Sequence, residues 1–207
     1  MDYRLRKATL DDQVVLRDLI ARSARGLSTG DYKAEQVEGA LRGAFGVDTQ
    51  LIADGTYFVV ETMNDAAARD GRLGTTAAKA ARSLGASAAE IVGCGGWSYR
   101  RTLFGSDSGP GRDASELNPA VDAAKIRAFF IDPAHARRGL GTLLLNHCES
   151  EAAARGFSRI EMMATLPGQK LYAARGYSPA GQVTHELAPG LTIDFVPMRK
   201  DITPLRA

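Results

Sequence analysis

The run Ile126-Arg127-Ala128-Phe129-Phe130-Ile131 is the most strand-like in the chain, and it leads through Asp132-Pro133 and a basic turn to Gly139-Leu140-Gly141, where a leucine-rich helix opens. A buried strand that feeds a glycine-bearing helix start commits the chain to an α/β arrangement. It also sets a binding chemistry. The first amides of a helix have no intrahelical acceptor, the helix dipole places partial positive charge there, and glycine lets a ligand come close. A phosphate or pyrophosphate is the expected guest, with Arg137 and Arg138 adding charge.

This basic turn stands out against an almost neutral chain of 207 residues, with 26 Lys and Arg against 24 Asp and Glu. A broad basic surface for nucleic acid and a polybasic membrane anchor are both excluded. Residues 1–10 mix charged and apolar side chains without an unbroken apolar stretch, so no signal peptide or anchor is read there. Cys94 and Cys148 sit in apolar runs, make no metal-ligand spacing with His135, His147 or His185, and read as small core residues. No metal site is expected, and a reduced, cytoplasmic setting fits.

Tyr3-Leu5-Lys7 alternates as a first strand, followed by Thr9 and Asp12 as a helix cap and by Val15, Leu16, Leu19 and Ile20 at helical spacing. Val37, Leu41 and Phe45 predict a second helix ending near Gly46. Tyr57 to Glu61 and Ile91 to Trp97 predict two strands. The 27 residues between them, Asn64 to Glu90, contain 10 alanines and read as a surface insertion, since alanine alone buries little. A loop at 103–124 precedes the central strand. The helix after Gly139 has Leu140, Leu143, Leu144, His147 or Cys148, and Ala152 as its apolar face. A strand at Ile160 to Ala164, a short helix at 168–174, and a hairpin around Pro189-Gly190 follow. The order β-α-α-β-β-β-α-β-α-β-β predicts one domain over 1–207 with an insertion at about 64–90.

A dinucleotide fingerprint and a Walker loop both fail on spacing at Gly139-Leu140-Gly141. Ala136-Arg137-Arg138-Gly139-Leu140-Gly141 instead resembles the acetyl-CoA motif [RQ]-x-x-G-x-[GA] of the GCN5-related N-acetyltransferase (GNAT) family, with Ala136 in place of the first Arg or Gln. Leu171-Tyr172-Ala173-Ala174-Arg175-Gly176-Tyr177 resembles the family's Y-x-x-x-G-[FY] signature, in the order the family requires. The resemblance implies an α/β fold with a mixed, mostly antiparallel sheet of six to seven strands, splayed at the central strand and flanked by helices. It implies an acetyl-CoA-dependent N-acetyltransferase acting by direct attack of an amine in a ternary complex, with CoA as product. Arg137, Arg138, Gly139, Leu140, Gly141 and Thr142 would then cradle the pyrophosphate, and the backbone of Phe129 and Ile131 would pair with the pantetheine arm. Tyr172 inherits the role of general acid toward the departing thiolate. A homodimer is common in this family. The runner-up is a non-catalytic acyl-CoA-binding or protein-interaction module on the same fold.

The acceptor, a small-molecule or peptide amine, is left open by these motifs. The family's usual carboxylate base at the start of the central strand corresponds to Lys125 here, leaving Glu61 and Glu161 as substitutes. His135 and His147 show no carboxylate partner that would organise them as acid or base. Alternation along the strand puts Arg127 on one face with Phe129 and Ile131. With Trp97 and with Arg100 or Arg101, Arg127 is the candidate acceptor contact, which would select a carboxylate or phosphate.

Overall fold

The computed structural model describes residues 2–63, 89–107 and 112–204. The insertion expected at about 64–90 falls, apart from its last two residues, outside them. Eight strands form one sheet: β1 (Asp2–Lys7), β2 (Tyr57–Met63), β3 (Ile91–Ser98), β4 (Ala124–Ile131), β5 (Arg159–Thr165), β6 (Ser178–Pro179), β7 (Val183–Ala188) and β8 (Leu191–Asp201). The order is β1-β2-β3-β4-β5-β8-β6, with β7 also on β8. Only β4 and β5 are parallel. The mixed, mostly antiparallel sheet is the one expected, enlarged by the two-residue β6 that sequence reading passed over.

Helices cover both faces. On one lie α1 (Gln13–Leu27), α2 (Ala34–Ala40) and α3 (Thr49–Ala53), and on the other α4 (Leu140–Ala154) and α5 (Gln169–Ala173). The apolar side chains accordingly fall into two clusters. Leu16, Leu19, Ile20, Phe45, Tyr57, Val59 and Phe195 belong to the first, and Phe58, Val60, Leu144, Cys148, Phe157, Tyr172 and Val196 to the second. Tyr57 and Val59 against Phe58 and Val60 show how the period of two divides one strand between the two layers.

Helix faces differ in detail from the sequence pattern. Val15 is 45% exposed, and Ser23 and Ala24 extend the buried stripe of α1 instead. In α4 the inward residues are Leu140, Leu144, Leu145, Cys148 and Ala152, whereas Leu143 is 41% exposed. The second predicted helix stops at Ala40, and α3 was not anticipated. Thr9 and Asp12 form the expected start of the first helical segment, the Thr9 N–H donating to the Asp12 carboxylate at 2.7 Å.

Two departures from regularity shape the centre of the sheet. Strand β4 pairs with β5 only from Ala124 to Ile126, against Ile160 to Met162, and then diverges from it. Against β3, β4 carries one extra residue: Cys94 faces Phe130 but Gly96 faces Arg127. Ala128 takes up the extra length with φ of 54°, the left-handed backbone of a β-bulge.

The bulge overturns the expected facing of Arg127. Ile126 lies in the α4 layer, but Arg127 and Ala128 both turn to the α1 layer, and alternation resumes out of phase, with Phe129 and Ile131 toward α4 and Phe130 toward α1. Arg127 therefore shares a face with Ala128 and Phe130, not with Phe129 and Ile131. Sequence alternation assumes equal residue counts in paired strands, and one inserted residue reverses it.

Candidate active site

Where β4 and β5 part, a cleft of about 740 Å³ opens and runs from the α4 amino end to the α1 layer. Beyond Ile126 the β5-facing edge of β4 has no strand beside it among the described residues, which leaves backbone groups able to pair with an extended ligand. Phe129 and Ile131, both nominated from sequence, line this opening.

At one end of the cleft the turn before α4 has a geometry suited to an anion. Arg137 and Gly139 both take positive φ, 63° and 83°. Such a turn makes successive amides converge, and the helix adds its positive end. The first intrahelical bond here runs from Leu143 N–H to Gly139 C=O at 2.9 Å, which leaves the amides of Leu140, Gly141 and Thr142 without an intrahelical acceptor. The two glycines serve differently. Gly139 faces open space and is required for its φ, whereas a Cβ on Gly141 would stand 2.8 Å from Leu171 Cδ2.

Arg137, Lys170 and Arg175 line the cleft. Lys170 and Arg175 escaped sequence reading because they lie on and just after α5, beside a motif read only for its tyrosine. Arg138 instead sends a guanidinium N–H to the Tyr3 hydroxyl at 3.3 Å and is absent from the cleft wall. His135, 9% exposed, is engaged with the same hydroxyl through Nδ1 at 3.1 Å.

Tyr172 lines the middle of the cleft on α5. Its ring meets Phe129 edge-on at 6.4 Å and Tyr177 at 6.0 Å. Burial raises the phenol above its ordinary pKa, so Tyr172 is protonated across the neutral range. Its hydroxyl has no hydrogen-bond partner among the described residues. A protonated phenol in a cleft wall is chemically able to donate a proton to a bound group.

The remaining candidates are committed elsewhere. Trp97, 3% exposed, donates its indole N–H to Glu151 at 3.0 Å in the core of the α4 layer and does not line the cleft. Arg127 reaches the cleft wall, but its guanidinium is paired with Asp48 at 2.6 Å and donates to the Gly105 carbonyl at 2.8 Å. Arg100 is paired with Asp54. Glu61 accepts from Arg4 and Arg6, at 2.7 Å from each, and Glu161 is paired with Lys125; neither glutamate lines the cleft. His147 does have a carboxylate partner, Glu151 four residues on at 3.7 Å, but it too lies outside the cleft wall.

The cleft's other half is aromatic. Phe45, Phe104, Phe130 and Phe195 come from four separate segments and pack ring against ring, Phe45 meeting Phe130 at 5.8 Å and Phe104 meeting Phe195 at 5.7 Å. Sequence reading gave no sign of this wall, because its members converge only in the folded chain.

The sequence profile of the acetyltransferase (GNAT) family matches residues 60–177, more than half of the chain. This protein belongs to that family. Its fold is similar to that of a GCN5-related N-acetyltransferase from Rhodopseudomonas palustris, with a TM-score of 0.62, 18% identity, and coverage of 98% of this chain and 97% of the other. It is also similar to the PaiA N-acetyltransferase of Thermoplasma acidophilum, solved with coenzyme A (TM-score 0.57, 12% identity, 98% and 100% coverage). The ribosomal-protein-S18-alanine N-acetyltransferase of Escherichia coli gives a TM-score of 0.55 at 14% identity, with 98% and 95% coverage. At these identities the likeness is one of fold. No curated protein matches the sequence. No helix among the described residues is long and apolar enough to cross a membrane.

Proposed function

We propose that this chain transfers an acetyl group from acetyl-CoA to a primary amine by direct attack in a ternary complex. The observation that carries the reading is the parting of β4 from β5, with a helix start suited to an anion at one end of the gap and Tyr172, whose hydroxyl bonds to no described residue, in its wall. The residues fit coenzyme A. The amides of Leu140, Gly141 and Thr142, with Arg137, Lys170 and Arg175, receive the pyrophosphate, and the free edge of β4 at Phe129 and Ile131 aligns the pantetheine arm as an added strand.

The thioester supplies the acyl group. The chain's own part is to hold donor and acceptor in line, exclude water, and deliver a proton. Positioning of two reactants is worth several kcal/mol of barrier by itself. As the amine nitrogen bonds to the acyl carbon and the carbon–sulfur bond breaks, Tyr172 gives its proton to the sulfur, leaving CoA as a thiol. Removal of the amine proton falls to solvent, because among the described residues no carboxylate lines the cleft and His135, which does, is engaged by the Tyr3 hydroxyl through Nδ1. Cys94 and Cys148 are fully buried, which fits transfer without an acyl-enzyme.

The test is calorimetry with CoA followed by thiol release from acetyl-CoA across a panel of small amines, amino acids and peptides. Micromolar binding with amine-dependent release is expected. Binding without transfer to any amine would leave a CoA-binding module and end the catalytic reading.

A further inference from the structure

The acceptor's chemical class can be read from the half of the cleft that coenzyme A does not use, given the transferase reading above. This half lies on the α1 side of β4, beyond the bulge at Ala128. Its wall includes Leu27, Phe45, Phe104, Phe130, Met163 and Phe195, with Ser23, Ser28 and Arg127 at its polar margin. The aromatic members brace one another, and Phe104 is backed further by His185 at 5.1 Å. A braced aromatic wall holds a flat or branched apolar group with little loss of side-chain freedom.

Charge points the same way. Asp48 is completely buried against Arg127 and is taken up by Arg127 at 2.6 Å and Arg112 at 2.8 Å. Asp107 also acts on Arg127, so the carboxylates of this region are matched by guanidinium groups and none is left to face the cleft. Among the described residues no carboxylate lines the cleft, and with Arg137, Lys170 and Arg175 given to the pyrophosphate the charged side chain left to this half is the paired Arg127. A second ammonium on the acceptor would enter a largely apolar space with no carboxylate among the described residues to meet it, which costs heavily.

We infer that the acceptor is an apolar primary monoamine, aromatic for preference, and not a polyamine or a lysine side chain. The bulge contributes directly, because it turns Ala128 and Phe130 together toward this half and leaves its floor without a polar side chain at either position.

The experiment compares kcat/KM for 2-phenylethylamine, butylamine, spermidine and Nα-acetyl-lysine with acetyl-CoA on the intact chain. At least a tenfold preference for 2-phenylethylamine over butylamine is expected, and at least a hundredfold over spermidine and Nα-acetyl-lysine, which would carry further charged or polar groups into the apolar half. Phe104→Glu places a carboxylate in the wall and should narrow the gap to spermidine at least tenfold with the acetyl-CoA KM unchanged. If that variant melts early, Leu27→Glu, at a 38% exposed position, serves the same purpose. A preference for spermidine or lysine overturns the inference, as does a gap that neither glutamate moves in a folded protein. Faster use of hexanoyl-CoA than acetyl-CoA overturns it too, because the wall would then be holding the acyl chain. If no amine is acetylated while CoA still binds, the transferase reading fails separately. Calorimetry of 2-phenylethylamine on the CoA-bound protein then decides, binding lost in Phe104→Glu supporting the apolar site and no binding removing it.

Discussion

Arg127 and Asp48 form an ion pair at 2.6 Å in which the side chains are 3% and 0% exposed. Arg112 completes the site with a second contact to Asp48 at 2.8 Å. Burial presses the Arg127 pKa down, with the Asp48 charge opposing it. Removing one partner of such a pair strands the other charge in the interior. Asp48→Ala is therefore expected to cost about 3–5 kcal/mol in urea unfolding. A loss below about 1 kcal/mol would mean the pair contributes nothing to holding the α2–α3 connection against the sheet.

Tyr172→Phe removes one hydroxyl and nothing else from a buried ring. Since that hydroxyl bonds to no described residue, stability should change little. Proton donation of this kind contributes roughly 10²–10⁴-fold, so kcat should fall by about that factor with CoA affinity retained. Turnover within a few-fold of the parent protein would remove Tyr172 as the acid.

Gly139→Val loads a β-branched side chain onto a backbone with φ of 83°. Left-handed backbone costs a chiral residue roughly 1–2 kcal/mol, and the turn is expected to relax away from the geometry that aims its amides. CoA affinity should drop at least tenfold by calorimetry, with less change in melting temperature than in ligand binding. Undiminished CoA binding would locate the anion site elsewhere.

Hydrogen bonds from Arg6 hold the Asp12 carboxyl below its ordinary pKa of 3.8, against the opposing effect of burial. The ionised form is the one folding favours. Its stabilisation is therefore complete above about pH 4 and is lost as pH falls through the lowered folded-state value. Asp12→Asn should lower stability at pH 7 and flatten the acid limb of a melting-temperature profile. Parallel profiles for the two proteins would contradict this.

Burial pushes the Cys94 thiol up to about 12 and raises Cys148 as well. Only a thiolate attacks an aromatic disulfide reagent. The native protein should accordingly show no reactive thiol, and two should appear in guanidinium. A native thiol that titrates within minutes would show that one of these cores opens readily.

The legible parts of this chain were those whose residues are neighbours in sequence. Gly139 with Gly141, and Tyr172 with Gly176, each sit within one turn of helix, so local spacing alone marks them. The assignment of faces along β4 failed at one place because a bulge depends on the register against β3, which no periodicity within β4 records. Asp48 and Arg127, or Phe45 and Phe195, were invisible as pairs for a simpler reason. Their contacts exist only after β4 and β8 are placed beside α2 and α3, and nothing in either segment specifies its partner. Lys170 and Arg175 are an intermediate case, since α5 was found but its cationic side was not connected to the turn before α4.

The extra residue at Ala128 works as a phase shifter in the middle of a strand. Up to Arg127 the even-numbered positions answer to the α4 layer, and after Ala128 the odd-numbered ones do. One continuous strand thereby supplies a sealed ionic anchor at one end and opposite walls of a binding cleft at the other. Shortening this strand by the single residue at Ala128 would exchange Phe129 with Phe130 between those walls, so strand length here carries information that residue identity alone does not.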